Sequence, residues 1–80
     1  MPEETLFKTE ERLTRADVAD ALRDAADQLD SGSVRLASDT EDRTVSVPES
    51  PRFEVELERL TDSETGDQRY ELEYEIRWTK

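Results

Sequence analysis

The chain has 80 residues, no cysteine, no histidine and a formal net charge of −11. A chain this short makes one domain with a small core. Without Cys and His it builds no disulfide, no Cys/His zinc site and no Ser-His-Asp or Cys-His catalytic device.

Acids outnumber bases 22 to 11, and nine of the bases are arginine, with only Lys8 and Lys80 as lysines. Residues 1–31 carry nine acids and four bases, and residues 32–80 carry thirteen and seven. The excess is therefore spread along the chain and does not form an acidic tail. Low hydrophobicity by itself fits a disordered chain, but the apolar residues fall into periodic patterns, which argues for a folded domain. An evenly acidic, lysine-poor surface suits a salt-rich cytoplasm. At ~1 M salt the Debye length is only ~3 Å, so self-repulsion is largely screened while the charge maintains solubility. No apolar run approaches the ~20 residues of a membrane helix. Met1-Pro2-Glu3-Glu4 lacks the basic-then-apolar plan of a signal peptide. The expectation is a cytoplasmic protein without membrane association, with residues 1–4 disordered.

In chain order, Phe7, Thr9, Glu11 and Leu13 alternate as a first strand. Thr14 then opens a helix, with Asp17 three residues later as a capping-box-like partner. Val18, Ala19, Leu22, Ala25, Ala26 and Leu29 form an apolar stripe at helical spacing. Asp17, Asp20, Asp24 and Asp27 form the opposing stripe, where Arg23 is placed to pair with Asp27. Asp is a poor helix former, so this stripe favours charge over propensity. Gly32 sits where a left-handed terminator belongs.

Four more strands follow. Val34 and Leu36 alternate with polar neighbours, Asp39 to Asp42 read as a turn, and Val45 and Val47 alternate in turn. Pro48 and Pro51 bracket a bend, because neither donates to a ladder. Phe53, Val55 and Leu57 alternate with Glu54, Glu56 and Glu58, and the slip at Arg59-Leu60 predicts a bulge or strand end. Thr61 to Gln68, with Gly66, read as a loop. Tyr70, Leu72, Tyr74, Ile76 and Trp78 then alternate with Glu71, Glu73, Glu75 and Arg77. The expected fold is α+β, in the order β-α-β-β-β-β. One N-terminal helix packs on one face of a mostly antiparallel sheet of four or five strands, and the other face is wet and acidic. A helix of ~16 residues is ~24 Å long and ~10 Å wide, whereas five strands span ~24 Å across. Unless the sheet curls strongly, an uncovered apolar strip rich in Tyr70, Tyr74 and Trp78 must meet a partner.

The run from Tyr70 to Trp78 resembles the amphipathic, tryptophan-ending final strand of the amphi-Trp domain family. Val45-Ser46-Val47-Pro48 followed by Phe53-Glu54-Val55-Glu56 is similar to it too, as is the helix from Thr14 to Leu29 with its alanine-rich apolar face. The likeness covers roughly residues 5 to 79 in the same order. It implies a small domain of bacteria and archaea with no established activity and no catalytic residues to transfer.

The residues themselves point away from catalysis. Asparagine is also absent, and the two glycines stand far apart, so no phosphate-cradling loop exists. No basic patch marks direct nucleic-acid binding. Carboxylates remain. Glu54, Glu56, Glu58, Glu71, Glu73 and Glu75 are expected on one solvent face, where a solvated, salt-tolerant surface is the plainest reading. A hard-cation site is second, though a flat sheet seldom encloses an ion with 6–8 ligands. A paired-carboxylate hydrolase is last, since nothing implies a cleft. Trp78 reads first as a core residue closing one end of the sheet. Its alternative, shared with Tyr70 and Tyr74, is an interface anchor. The leading expectation is a non-catalytic module without cofactor or metal, pairing with itself or with a protein partner. The alternative is a cation-binding or nucleic-acid-mimic protein using the acidic face.

Overall fold

A computed structural model describes residues 2–80. The chain divides into two compact units, Met1–Glu49 and Ser50–Lys80.

In the first unit, residues 2–14 carry no helix or strand. Of residues 1–4, expected to be disordered, Met1 lies outside the described residues and 2–4 are irregular. The strand expected at Phe7–Leu13 does not form. Only Phe7 and Leu13 are apolar among its four inward positions, too few to hold an edge strand against the solvation of Thr9 and Glu11. Instead the segment from Glu4 to Phe7 borders a shallow cleft with Leu36, Arg43, Thr44 and Val45, and Phe7 is half-buried.

Helix α1 runs Arg15–Asp30. Thr14 has extended backbone, and its hydroxyl accepts from the Asp17 N–H at 3.1 Å, satisfying one free helix donor. At the other end Ser31 donates to the Gln28 carbonyl through both N–H and Oγ, and the Gly32 N–H donates to Leu29. Gly32 has φ of +93°, which a side chain would strain, so the glycine terminator falls where the sequence places it. The apolar stripe is only partly covered. Ala19, Ala25 and Leu29 are half-buried, whereas Val18 and Leu22 are exposed. Arg23 pairs backward with Asp20 at 3.0 Å, not forward with Asp27. An acid N-terminal to its base complements the helix dipole, and the forward pair would oppose it.

Strand β1, Ser33–Ala37, pairs antiparallel with β2, Asp42–Ser46, bringing Val34 opposite Val45. Ser38 shapes the turn between them: its Oγ accepts from the Thr40 and Glu41 N–H groups, and its own N–H donates to the Glu41 carbonyl. Within this unit α1 adjoins β1. The Gln28 side chain makes the link, since its Oε1 accepts from the Arg35 N–H at 2.7 Å while its Nε2 donates to Asp24.

In the second unit, β3, Arg52–Thr61, pairs antiparallel with β4, Gln68–Arg77, over ten residue pairs without interruption. The break expected at Arg59-Leu60 does not occur, because ladder hydrogen bonds are made by the backbone whatever the polarity of the side chain. Arg59 stands opposite Tyr70 and Leu60 opposite Arg69. Asp62 organises the connecting loop: its carboxylate accepts from the N–H groups of Glu64 and Thr65, and its carbonyl accepts from Gly66, whose φ is +77°. Trp78 falls one residue past the end of β4.

The fold is thus α+β, with one helix and four antiparallel strands among the described residues. The strands form two two-stranded sheets, not the single four- or five-stranded sheet expected. Pro48 and Pro51 lie between β2 and β3, and neither donates to a ladder. Among the described residues none is fully buried.

Candidate functional site

The β3–β4 hairpin sorts its side chains by chemistry. Strand alternation puts every second residue on one face, and the register decides which residues meet across it. Phe53 lies opposite Ile76, Val55 opposite Tyr74, Leu57 opposite Leu72 and Arg59 opposite Tyr70. On the other face Glu54 lies opposite Glu75, Glu56 opposite Glu73 and Glu58 opposite Glu71. All six glutamates read as an acidic face are brought together there as three directly opposed pairs.

Charge in this row is managed from its ends. The Arg77 guanidinium reaches Glu54 at 3.4 Å and Glu75 at 3.3 Å, spanning the first pair. Arg69 reaches Glu71 at 3.5 Å at the far end. Among the described residues no such cation reaches the middle pair, and the Glu56 carboxyl is held above its usual range. The largest cause is a hydrogen bond and charge repulsion from Glu58, followed by burial and the charges of Glu54 and Glu73. Arg69 and Arg77 escaped notice as clamps in the sequence, although residues 69, 71, 73, 75 and 77 share one parity and so one face. Among the described residues no three His, Cys, Asp or Glu side chains converge as a metal ion requires.

The two faces differ in exposure in an unusual direction. Phe53 is 61% exposed, Leu57 69% and Tyr70 60%, with Val55, Leu72 and Tyr74 all above half. Glu54, Glu56 and Glu71 are only half-exposed, covered in part by neighbouring carboxylates and arginines, whereas Glu58, Glu73 and Glu75 are exposed and Ile76 on the apolar face is half-buried. Isolated exposed apolar residues are ordinary, but a contiguous apolar face on a regular ladder is not. Within it the rings of Phe53 and Tyr74 stack diagonally, with centroids 6.1 Å apart and planes 17° apart. The Tyr70 hydroxyl donates to Gln68 at 2.9 Å. Of the three residues singled out as interface anchors, Tyr70 and Tyr74 stand on this face. Trp78 is half-buried beside Ile76, in a shallow recess that Arg52, Arg77 and Thr79 also line.

Elsewhere Arg35 and Asp42 form the shortest ion pair among the described residues, with Nε to Oδ1 at 3.0 Å and NH2 to Oδ2 at 2.6 Å. The Arg35 hydrogen bond holds the Asp42 carboxyl below the usual aspartate range. The pair is exposed and joins the two strands of the first hairpin, so it reads as a cross-strand brace. Among the described residues no helix is long and apolar enough to cross a membrane.

These features define a small α+β protein built of one helix and two hairpins, the last one amphipathic and followed by a tryptophan. The chain belongs to the Amphi-Trp domain family, whose model matches residues 1–80. The resemblance carried by Tyr70 to Trp78, and by the segments before it, is thereby established. No curated protein and no solved structure matches the chain.

Proposed function

We propose that this protein is a small non-catalytic interaction module working in a salt-rich cytoplasm, and that the apolar face of β3–β4 is its working surface. The observation that carries the reading is the inverted exposure of the hairpin: Phe53, Val55, Leu57, Tyr70, Leu72 and Tyr74 are more than half open to water. A two-stranded hairpin is at best marginally stable alone. Covering one apolar face both stabilises the ribbon and provides the driving force for association. Tyr70 and Tyr74 are the anchors, since tyrosine offers a large apolar body and a polar tip at low conformational cost.

Affinity capture at native salt tests this, comparing the wild-type chain with a Tyr70→Ser, Tyr74→Ser double variant that remains folded by circular dichroism. The reading requires at least one species, including the protein itself, to be retained by the wild type and lost with the variant. If both baits retain the same set, the face is not a binding surface.

A second reading rests on the register of the other face. Three opposed glutamate pairs in a row, with cations only at the ends, offer a dense anionic strip that a basic partner or divalent cations would neutralise. NMR titration with Mg²⁺, Ca²⁺ and a basic peptide discriminates. Glutamate shifts no larger than those produced by KCl of matched ionic strength end this reading.

A further inference from the structure

We infer that the occupant of the β3–β4 apolar face is the same face of a second copy, stacked face to face with the strands of the two hairpins running head to tail. This deepens the interaction reading above and rests on it.

The first argument is size. Three aromatic and three aliphatic side chains, each more than half exposed, offer on the order of 500–600 Å² per copy. Stacking two copies buries about 1,100 Å² in total, just above the ~1,000 Å² at which specific interfaces begin. The face is therefore matched in extent to its own duplicate, and the pair is expected to be weak and reversible.

The second argument is charge, which chooses between modes of pairing. Adding a second copy along a strand edge would extend the row of glutamates into a wider acidic sheet, with new like-charge neighbours. Face-to-face stacking points both glutamate rows outward. The sheets themselves then stand ~10 Å apart, several Debye lengths at ~1 M salt, and the carboxylates lie farther apart still.

The third argument is the position of Arg59, the one charged side chain on the face between Phe53 and Ile76. It lies opposite Tyr70 near one end. Parallel stacking about a two-fold axis would hold the two guanidiniums at the same level, about one strand spacing (~5 Å) apart across the interface. Head-to-tail stacking about a two-fold axis separates them by about 20 Å along the strands and carries each toward the partner's Phe53. There a guanidinium over an aromatic ring is favourable. The closed two-fold arrangement also buries both faces at once and leaves no open end for further growth.

Sedimentation equilibrium of the full chain in molar KCl, run beside NMR with a soluble paramagnetic probe, tests the proposal. The expected result is a reversible dimer in which Phe53, Leu57 and Tyr74 are shielded from the probe. Leu57→Gln, at a side chain 69% exposed in the single chain, should keep the circular dichroism spectrum and weaken dimerisation by roughly a hundredfold, because each interface loses two leucines. Arg59→Glu should weaken it as well, whereas Glu56→Gln on the outer face should leave it within about twofold. A monomer whose face is open to the probe overturns the second copy as occupant and leaves the wider interaction reading standing. A monomer whose face is shielded overturns both. A dimer indifferent to Leu57→Gln, or one that Glu56→Gln strengthens severalfold, overturns the face-to-face arrangement.

Discussion

Arg77 does more than an ordinary surface arginine, because it faces two carboxylates that face each other. Exposed ion pairs contribute little one at a time, yet here the cation also relieves the repulsion between Glu54 and Glu75. Arg77→Gln should lower the melting temperature in dilute buffer, and the deficit should shrink in molar KCl, as thermal denaturation at the two salts will reveal. Gln28 has the opposite character, a neutral side chain that supplies both an acceptor to Arg35 and a donor to Asp24. Gln28→Ala leaves the Arg35 N–H to water and should cost about 0.5–1 kcal/mol at any salt, read from denaturant midpoints. Thr14→Ala removes the helix cap and should cost about 1 kcal/mol by the same measurement. The cap was legible from Thr14 and Asp17, which are three residues apart. The Gln28 bridge was not, because its partner lies seven residues on and across a turn.

At the scale of the element, the β3–β4 ladder and its loop respond to pH in opposite senses. Glu56 has a raised carboxyl pKa in the folded hairpin, driven first by Glu58. The folded state therefore holds that proton more tightly, and stability gained below the usual glutamate range is lost as pH rises through the raised value. Asp62 is lowered, first by the Glu64 N–H and then by the Thr65 N–H. Its contribution is present above the usual aspartate range and lost as pH falls through the depressed value. Asp42 behaves likewise through Arg35. Melting temperature in low salt should thus rise as pH falls from neutral toward the glutamate range, then drop in stronger acid. Glu56→Gln should flatten the first limb and Asp62→Ala the second. The parity of the glutamates was readable residue by residue. Their opposition as Glu54–Glu75, Glu56–Glu73 and Glu58–Glu71 was not, because register depends on where the loop closes. Asp62 and Gly66 set that closure through backbone bonds.

For the whole molecule, the governing quantity is a net charge of −11 on 80 residues. Like-charge pairs directly across a ladder are destabilising by some fraction of ~0.2–1 kcal/mol each, and salt screens them. Melting temperature should therefore climb steadily with KCl. Equal values in dilute and molar KCl would remove the argument that this surface is adapted to brine. Salt should act mainly on the stability of the hairpin and only weakly on association, if the outward glutamate rows are as far apart as face-to-face stacking requires.

Local periodicity alone determined the helix between Thr14 and Gly32 and the two-sided character of Phe53–Leu57 and Tyr70–Ile76. Each depends on side-chain phase within a few consecutive residues. Only the tertiary structure decided that β1–β2 and β3–β4 form separate ladders, that residues 7–13 add no strand, and that Arg77 and Arg69 close the ends of the acidic row. Pairing joins residues far apart in the chain, so it is settled by loop closure, proline placement and cross-strand charge, quantities that no short window of sequence contains.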